Sequence, residues 1–75
     1  MWNYRLVKQS SDLYDYISIC EVYYDEEKRP ALYCEATIGG DTLDEVKEVY
    51  KMVKEAFKAP TLTYPKDFTG SIDRE

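Results

Sequence analysis

Thr42-Leu43-Asp44-Glu45-Val46-Lys47-Glu48-Val49-Tyr50-Lys51-Met52-Val53-Lys54-Glu55-Ala56-Phe57-Lys58 carries both the start signal and the apolar spacing of a helix. At about 100° per residue, Leu43, Val46, Val49, Tyr50, Val53, Ala56 and Phe57 fall on one broad face, the stripe with which a helix covers a sheet. Thr42, followed three residues on by Glu45, forms a capping box, and Asp44 and Glu45 complement the positive end of the helix dipole. At the other end Lys58 suits the negative pole, and Pro60 stops the helix because it lacks an N–H and its ring clashes with the preceding turn. The spacing predicts a helix over residues 43–58.

Working outward, the residues before this helix read as strands. Met1 to Lys8 alternates, with Trp2, Tyr4 and Leu6 on one face and Asn3, Arg5 and Val7 on the other. Gln9 to Asp12 has the short polar side chains of a reversal. Leu13 to Tyr24 is rich in β-branched and aromatic residues and predicts the longest strand; its two faces are so evenly apolar that they do not decide which one turns inward. Asp25 to Pro30 is a polar hairpin loop, and Ala31 to Ile38 alternates again, with Leu32, Cys34, Ala36 and Ile38 as the expected inward face. A three-residue loop at Glu26-Glu27-Lys28 sets Asp25 opposite Arg29 and Cys20 opposite Cys34, whereas a two-residue loop separates the cysteines. Without a secretion signal, the two thiols are expected to be reduced.

The reading is therefore α+β: an antiparallel three-stranded β-meander with one amphipathic helix on one face, in the order β-β-β-α. A short fourth extended segment at Thr61 to Tyr64 lies along the sheet edge. A chain of 75 residues holds one core, not two, so residues 1–64 are expected to form a single domain. Residues 65–75 are expected to be a loosely ordered tail, since they offer little to bury.

Composition narrows the chemistry. The absence of His removes the commonest general base and the commonest metal ligand, and two cysteines are too few for a cysteine-only zinc site unless a dimer supplies the rest. No catalytic, cofactor-binding or metal-binding residue is expected. The carboxylates of Asp25, Glu26 and Glu27 read as a solvated hairpin tip, and Gly39-Gly40 as a strand-to-helix corner, because Asp41 and Asp44 put negative charge where a phosphate would lie. A net charge of −5 opposes duplex nucleic acid and anionic lipid as partners, and no apolar run is long enough to span a bilayer, so a cytoplasmic protein is expected.

Trp2-x-Tyr4-Arg5, Ile19-Cys20-Glu21-Val22-Tyr23-Tyr24-Asp25 and Gly40-Asp41-Thr42-Leu43-Asp44-Glu45 together resemble a family of short prokaryotic proteins of uncharacterised activity, over roughly residues 1–62. That family commonly carries a Gly in the hairpin tip, where this chain has Lys28. Three strands followed by the Gly40 to Glu45 motif and an amphipathic helix also look like the N-terminal domain of HicB-type antitoxins. That likeness implies a partial ribonuclease-H-like fold that acts by binding a small toxin, without catalysis of its own. The Pro-rich ending of strand two and the appended DNA-binding domain of that group are missing from this chain.

The functional expectation is a non-enzymatic protein-binding or regulatory module. One helix covers one face of the sheet, so the opposite face is expected to show tyrosines to water, to a partner, or to a second copy in a homodimer. Tyr14, Tyr16, Tyr23 and Tyr33 are candidates for an interaction surface, and Lys47, Lys51, Lys54 and Lys58, which line one flank of the helix, are candidates for contact with an anionic partner or RNA, or else form its solvated side. The alternative is an acidic decoy that occupies a basic nucleic-acid site on another protein, motivated by the acid-only stretch from Gln9 to Glu27.

Overall fold

The Thr42 cap at the head of the helix forms as expected, with the return bond from Glu45 falling one residue earlier, on Asp41, and together they set the path of the chain. Thr42 is extended (φ −131°, ψ 161°) and its hydroxyl accepts from the Glu45 N–H at 3.1 Å, while the Glu45 carboxylate reaches back to the Asp41 N–H at 2.8 Å. Gly40 permits this return: a Cβ there would lie 2.8 Å from the Cβ of Glu45. In the computed structural model, which describes residues 1–10, 13 and 15–70, the helix α1 spans Leu43–Ala56. It follows strands β1 (Trp2–Ser10), β2 (Asp15–Tyr24) and β3 (Pro30–Glu35) and precedes β4 (Leu62–Tyr64).

The sheet has the order β3-β2-β1-β4. β1 pairs antiparallel with β2 along its length, from Trp2 opposite Tyr23 to Ser10 opposite Asp15, and β2 pairs antiparallel with β3. The extended segment after the helix becomes a true strand, but parallel to β1, with Val7 opposite Leu62 and Gln9 opposite Tyr64. The architecture is thus α+β with a mixed four-stranded sheet, not a three-stranded antiparallel meander. A parallel partner requires a crossover. Here the helix supplies it by carrying the chain from one edge of the sheet to the other.

The helix lies over β1. Tyr4, Val53 and Ala56 form the buried contact, with Ile19, Ala36 and Val49 packed around it. The even face of β3, expected inward, is instead largely outside the packing: Leu32, Cys34 and Ile38 are exposed and Ala36 alone reaches the helix cluster. The inward residues of β3 are Ala31 and Tyr33, on the other face. The physical reason is placement: a helix seated on β1 is two strands away from β3.

The face away from the helix is not open. Val7, Cys20 and Val22 are fully buried there, covered by Tyr24, Tyr33, Leu62 and Phe68. After β4 the chain turns back through a cis Tyr64–Pro65 bond. The Thr69 N–H then donates to Pro30 O at 2.8 Å and the Gly70 N–H to Ala31 O at 3.0 Å. β3 and β4 are opposite edges of the ladder, so the sheet curls until this strap meets β3. Tyr33 and Tyr64, on the two edge strands, stand 5.0 Å apart edge to face. Residues 65–70 therefore belong to the packed body; residues 71–75 lie outside the described residues.

The hairpin between β2 and β3 has the three-residue loop that sets Asp25 opposite Arg29. The Asp25 N–H donates to Arg29 O and the Lys28 N–H to Asp25 O, each at 2.9 Å. The cysteines nevertheless do not oppose one another. Tyr24 pairs with Pro30 but Tyr23 pairs with Leu32, so Ala31 is an extra residue that slips the register by one. Cys20 then faces Glu35 and Cys34 faces Glu21, which puts the thiols on opposite sides of the sheet, both free.

Lys28 has φ 65°, a left-handed conformation in which a Cβ is crowded by the following carbonyl. Lys28→Gly is expected to raise stability by about 0.5–1 kcal/mol, the relief of that crowding less the extra chain entropy of glycine. A urea titration checks it; an unchanged or lower midpoint would show that the lysine stem stabilises the loop in another way.

Candidate functional site

Because the helix sits over β1, the surface between it and β3 is uncovered. An open groove of ≈ 580 Å³ runs there, floored by Leu6, Ile17 and Ile19 and walled by Phe57 on the helix side and by Ala36 and Ile38 on the other, with Tyr16, Ser18 and Glu35 at its margin. Ile17, Ile38, Tyr16 and Phe57 are all exposed. Apolar side chains in this number on one face of so small a domain form a patch, not the scattered exposure that ordinary surfaces show.

The helix extends the patch. Its apolar stripe spans about 140° around the axis, more than one contact with β1 covers. Val53 and Ala56 point into the core, whereas Leu43, Tyr50 and Phe57 are 68%, 59% and 62% exposed. These three are seven residues apart, so they stack in one ridge along the helix. The lysine row lies directly beside that ridge. Lys54 Nζ stands 5.5 Å from the centre of the Tyr50 ring, Lys51 pairs with Glu48 at 3.3 Å and Lys58 with Glu55 at 3.2 Å. Among the described residues, Lys47 and Lys54 have no carboxylate partner within ion-pair distance.

The tyrosines expected to share one surface are not together. Tyr16 is exposed at the groove margin. Tyr23 is half-buried on the helix side, its ring 6.3 Å from Trp2 and its hydroxyl donating to Glu21 Oε1 at 2.6 Å. That bond to a carboxylate pushes its pKa up to about 12. Tyr33 is half-buried on the opposite face among Tyr64 and Phe68, and burial raises its pKa. Tyr14 lies outside the described residues. The exposed apolar surface is thus on the helix side of the sheet, the reverse of the expectation that the far face would be open.

The acidic hairpin tip is largely engaged within itself. Asp25 accepts from the backbone N–H groups of Arg29 (3.0 Å) and Glu27 (2.9 Å) and from Arg29 Nε (3.2 Å). These contacts, the Arg29 N–H first, hold its carboxyl below the usual range. Glu27 also pairs with Arg29, at 2.7 Å. Another arginine ties the crossover to the sheet: Arg5 Nη2 donates to Pro60 O at 2.6 Å and Nη1 to the Tyr24 hydroxyl at 3.2 Å, while its Nε is buried without a partner.

The two thiols differ in environment. Cys20 is fully buried, close to Ser18 Oγ at 3.2 Å, and its pKa is raised chiefly by burial. Cys34 is exposed near Glu21. A thiol reagent is expected to modify one cysteine per native chain quickly and the second only in denaturant. Two fast equivalents in the native state would contradict the register described above.

No group of His, Cys, Asp and Glu among the described residues is placed to hold a metal ion, and no helix among them is long and apolar enough to cross a membrane. No family model, curated protein or solved structure matches the chain.

Proposed function

We propose that this domain is a non-enzymatic binding module that recognises another protein through the groove between α1 and β3. The observation that carries this reading is the exposure of Ile17, Ile38 and Phe57 around the groove, with Leu43 and Tyr50 exposed in line with Phe57 along the helix. A 75-residue chain has little apolar surface to spare, so leaving this much outside the core has a cost that a partner would offset. The absence of His from the sequence and the resemblance to HicB-type antitoxins point the same way. The acidic-decoy alternative draws less support, because Asp25 and Glu27 at the hairpin tip are already paired with Arg29.

Affinity capture from native cell extract, run in parallel with the parent chain and an Ile17→Asp/Phe57→Asp variant, tests the reading. Both positions are exposed, so the variant is expected to fold, which circular dichroism verifies. A protein held by the parent and lost by the variant is the expected result. Equal retention by both would overturn this surface as the binding site.

A further inference from the structure

Helix ridges that are apolar at seven-residue spacing and flanked by charge usually meet another helix, and the flanking charge decides which helices are accepted. On α1 the ridge is Leu43, Tyr50 and Phe57, and the flank that borders it is cationic, with Lys47 and Lys54 free of any carboxylate among the described residues. The uncompensated positive charge on this flank stands out on a chain whose net charge is −5.

We infer that the groove takes an acidic amphipathic helix from a partner protein, its apolar side chains seated between the ridge and Ile17 and Ile38, its carboxylates against Lys47 and Lys54. This rests on the binding-module reading above and adds the chemistry of the partner. A helix suits the site better than an extended peptide. The apolar ridge and the lysine flank that define the site are side chains on one face of α1, which an amphipathic helix matches along its length. The ridge runs about 21 Å from Leu43 to Phe57, enough to receive two successive heptads.

Charge also excludes a second copy through this ridge. An antiparallel pair of α1 helices centred on Tyr50 sets Leu43 against Phe57 and brings Lys47 of each copy toward Lys54 of the other. A parallel pair aligns each lysine with its own counterpart. Either arrangement places like charges together at the rim of an apolar seam, whereas an acidic helix places opposite charges there.

Two synthetic helical peptides of 18 residues test the inference, with identical leucine seams and either glutamate or lysine at the flanking positions. Binding is read by calorimetry, and the site by NMR shifts of Ile17, Ile38 and Phe57. The glutamate peptide is expected to bind at least tenfold tighter than the lysine peptide, to perturb those three residues, and to weaken as salt screens the lysines. A Lys47→Glu/Lys54→Glu variant is expected to reverse the preference. Equal binding of the two peptides at the groove would overturn the acidic partner while leaving the binding-module reading standing. Binding of neither peptide, or a dimer by light scattering with Phe57 shielded, would overturn the inference outright. In those cases the capture experiment judges the broader reading on its own.

Discussion

Tyr4→Ala is expected to reduce the unfolding free energy by about 3–4 kcal/mol, the usual cost of removing a buried aromatic ring. Tyr4 is 8% exposed and stands on β1 beneath the helix, against Val53 and Ala56, with the Trp2 ring edge-on at 5.2 Å. It is the largest side chain in the helix–sheet contact, and nothing else on β1 can fill its place. A single core in a chain of this size supplies roughly 3–5 kcal/mol, so the variant is expected to be largely unfolded at room temperature. Urea denaturation followed by circular dichroism measures it. Tyr4→Phe, which keeps the ring, serves as the control and is expected to stay within about 1 kcal/mol of the parent. A Tyr4→Ala protein that unfolds at the parental midpoint would mean that the helix is not held by this contact.

Phe68→Ala has the next largest expected effect, a loss of about 2–3 kcal/mol, lower than for Tyr4 because Phe68 is only partly buried. Its ring packs 5.4 Å from Tyr33 and 5.5 Å from Tyr64 and helps to cover Val7, Cys20 and Val22. Cutting it back uncovers the buried cluster on the face away from the helix, and it also weakens the strap whose N–H groups at Thr69 and Gly70 reach β3. Two readouts should move together: the urea midpoint falls, and the Cys20 thiol, inert in the parent, becomes reactive before global unfolding. Stability lost without any gain in Cys20 reactivity would show that the strap does not guard that face.

Local signals in the sequence locate the elements well. The Thr42–Glu45 cap and the 3.6-residue spacing that follows place α1, and alternation sorts Trp2, Tyr4 and Leu6 onto one face of β1 without saying that this is the face the helix covers. The hairpin itself is also legible, from the polar run ending in Pro30, while its three-residue loop is one of two lengths that run allows. What is not legible comes from non-local geometry. The extra residue at Ala31 carries no glycine to mark it, yet it moves Cys34 from opposite Cys20 to opposite Glu21. Phe68 stands alone in a polar tail, and only the curl of the sheet reveals that it caps a core. The candidate groove follows from the position of the helix above β1, which no pattern within residues 43–58 encodes. One sign was present: seven apolar residues over so wide an arc of a helix are too many for one seam, and Leu43, Tyr50 and Phe57 are the surplus.

The strap has a consequence for biosynthesis. Leu62 completes the sheet beside Val7, and Thr69 and Gly70 bond to Pro30 and Ala31, so partners far apart along the chain must meet. A nascent polypeptide leaving the ribosome exposes β1 and β2 well before residues 62–70 emerge. Until they do, one edge of β1 is unpaired and the Val7–Cys20–Val22 cluster lies bare to solvent and to other growing chains. The domain therefore acquires its protection against aggregation only once residues 62–70 have emerged, and closing the chain over this long separation carries an entropic cost that the local helix does not.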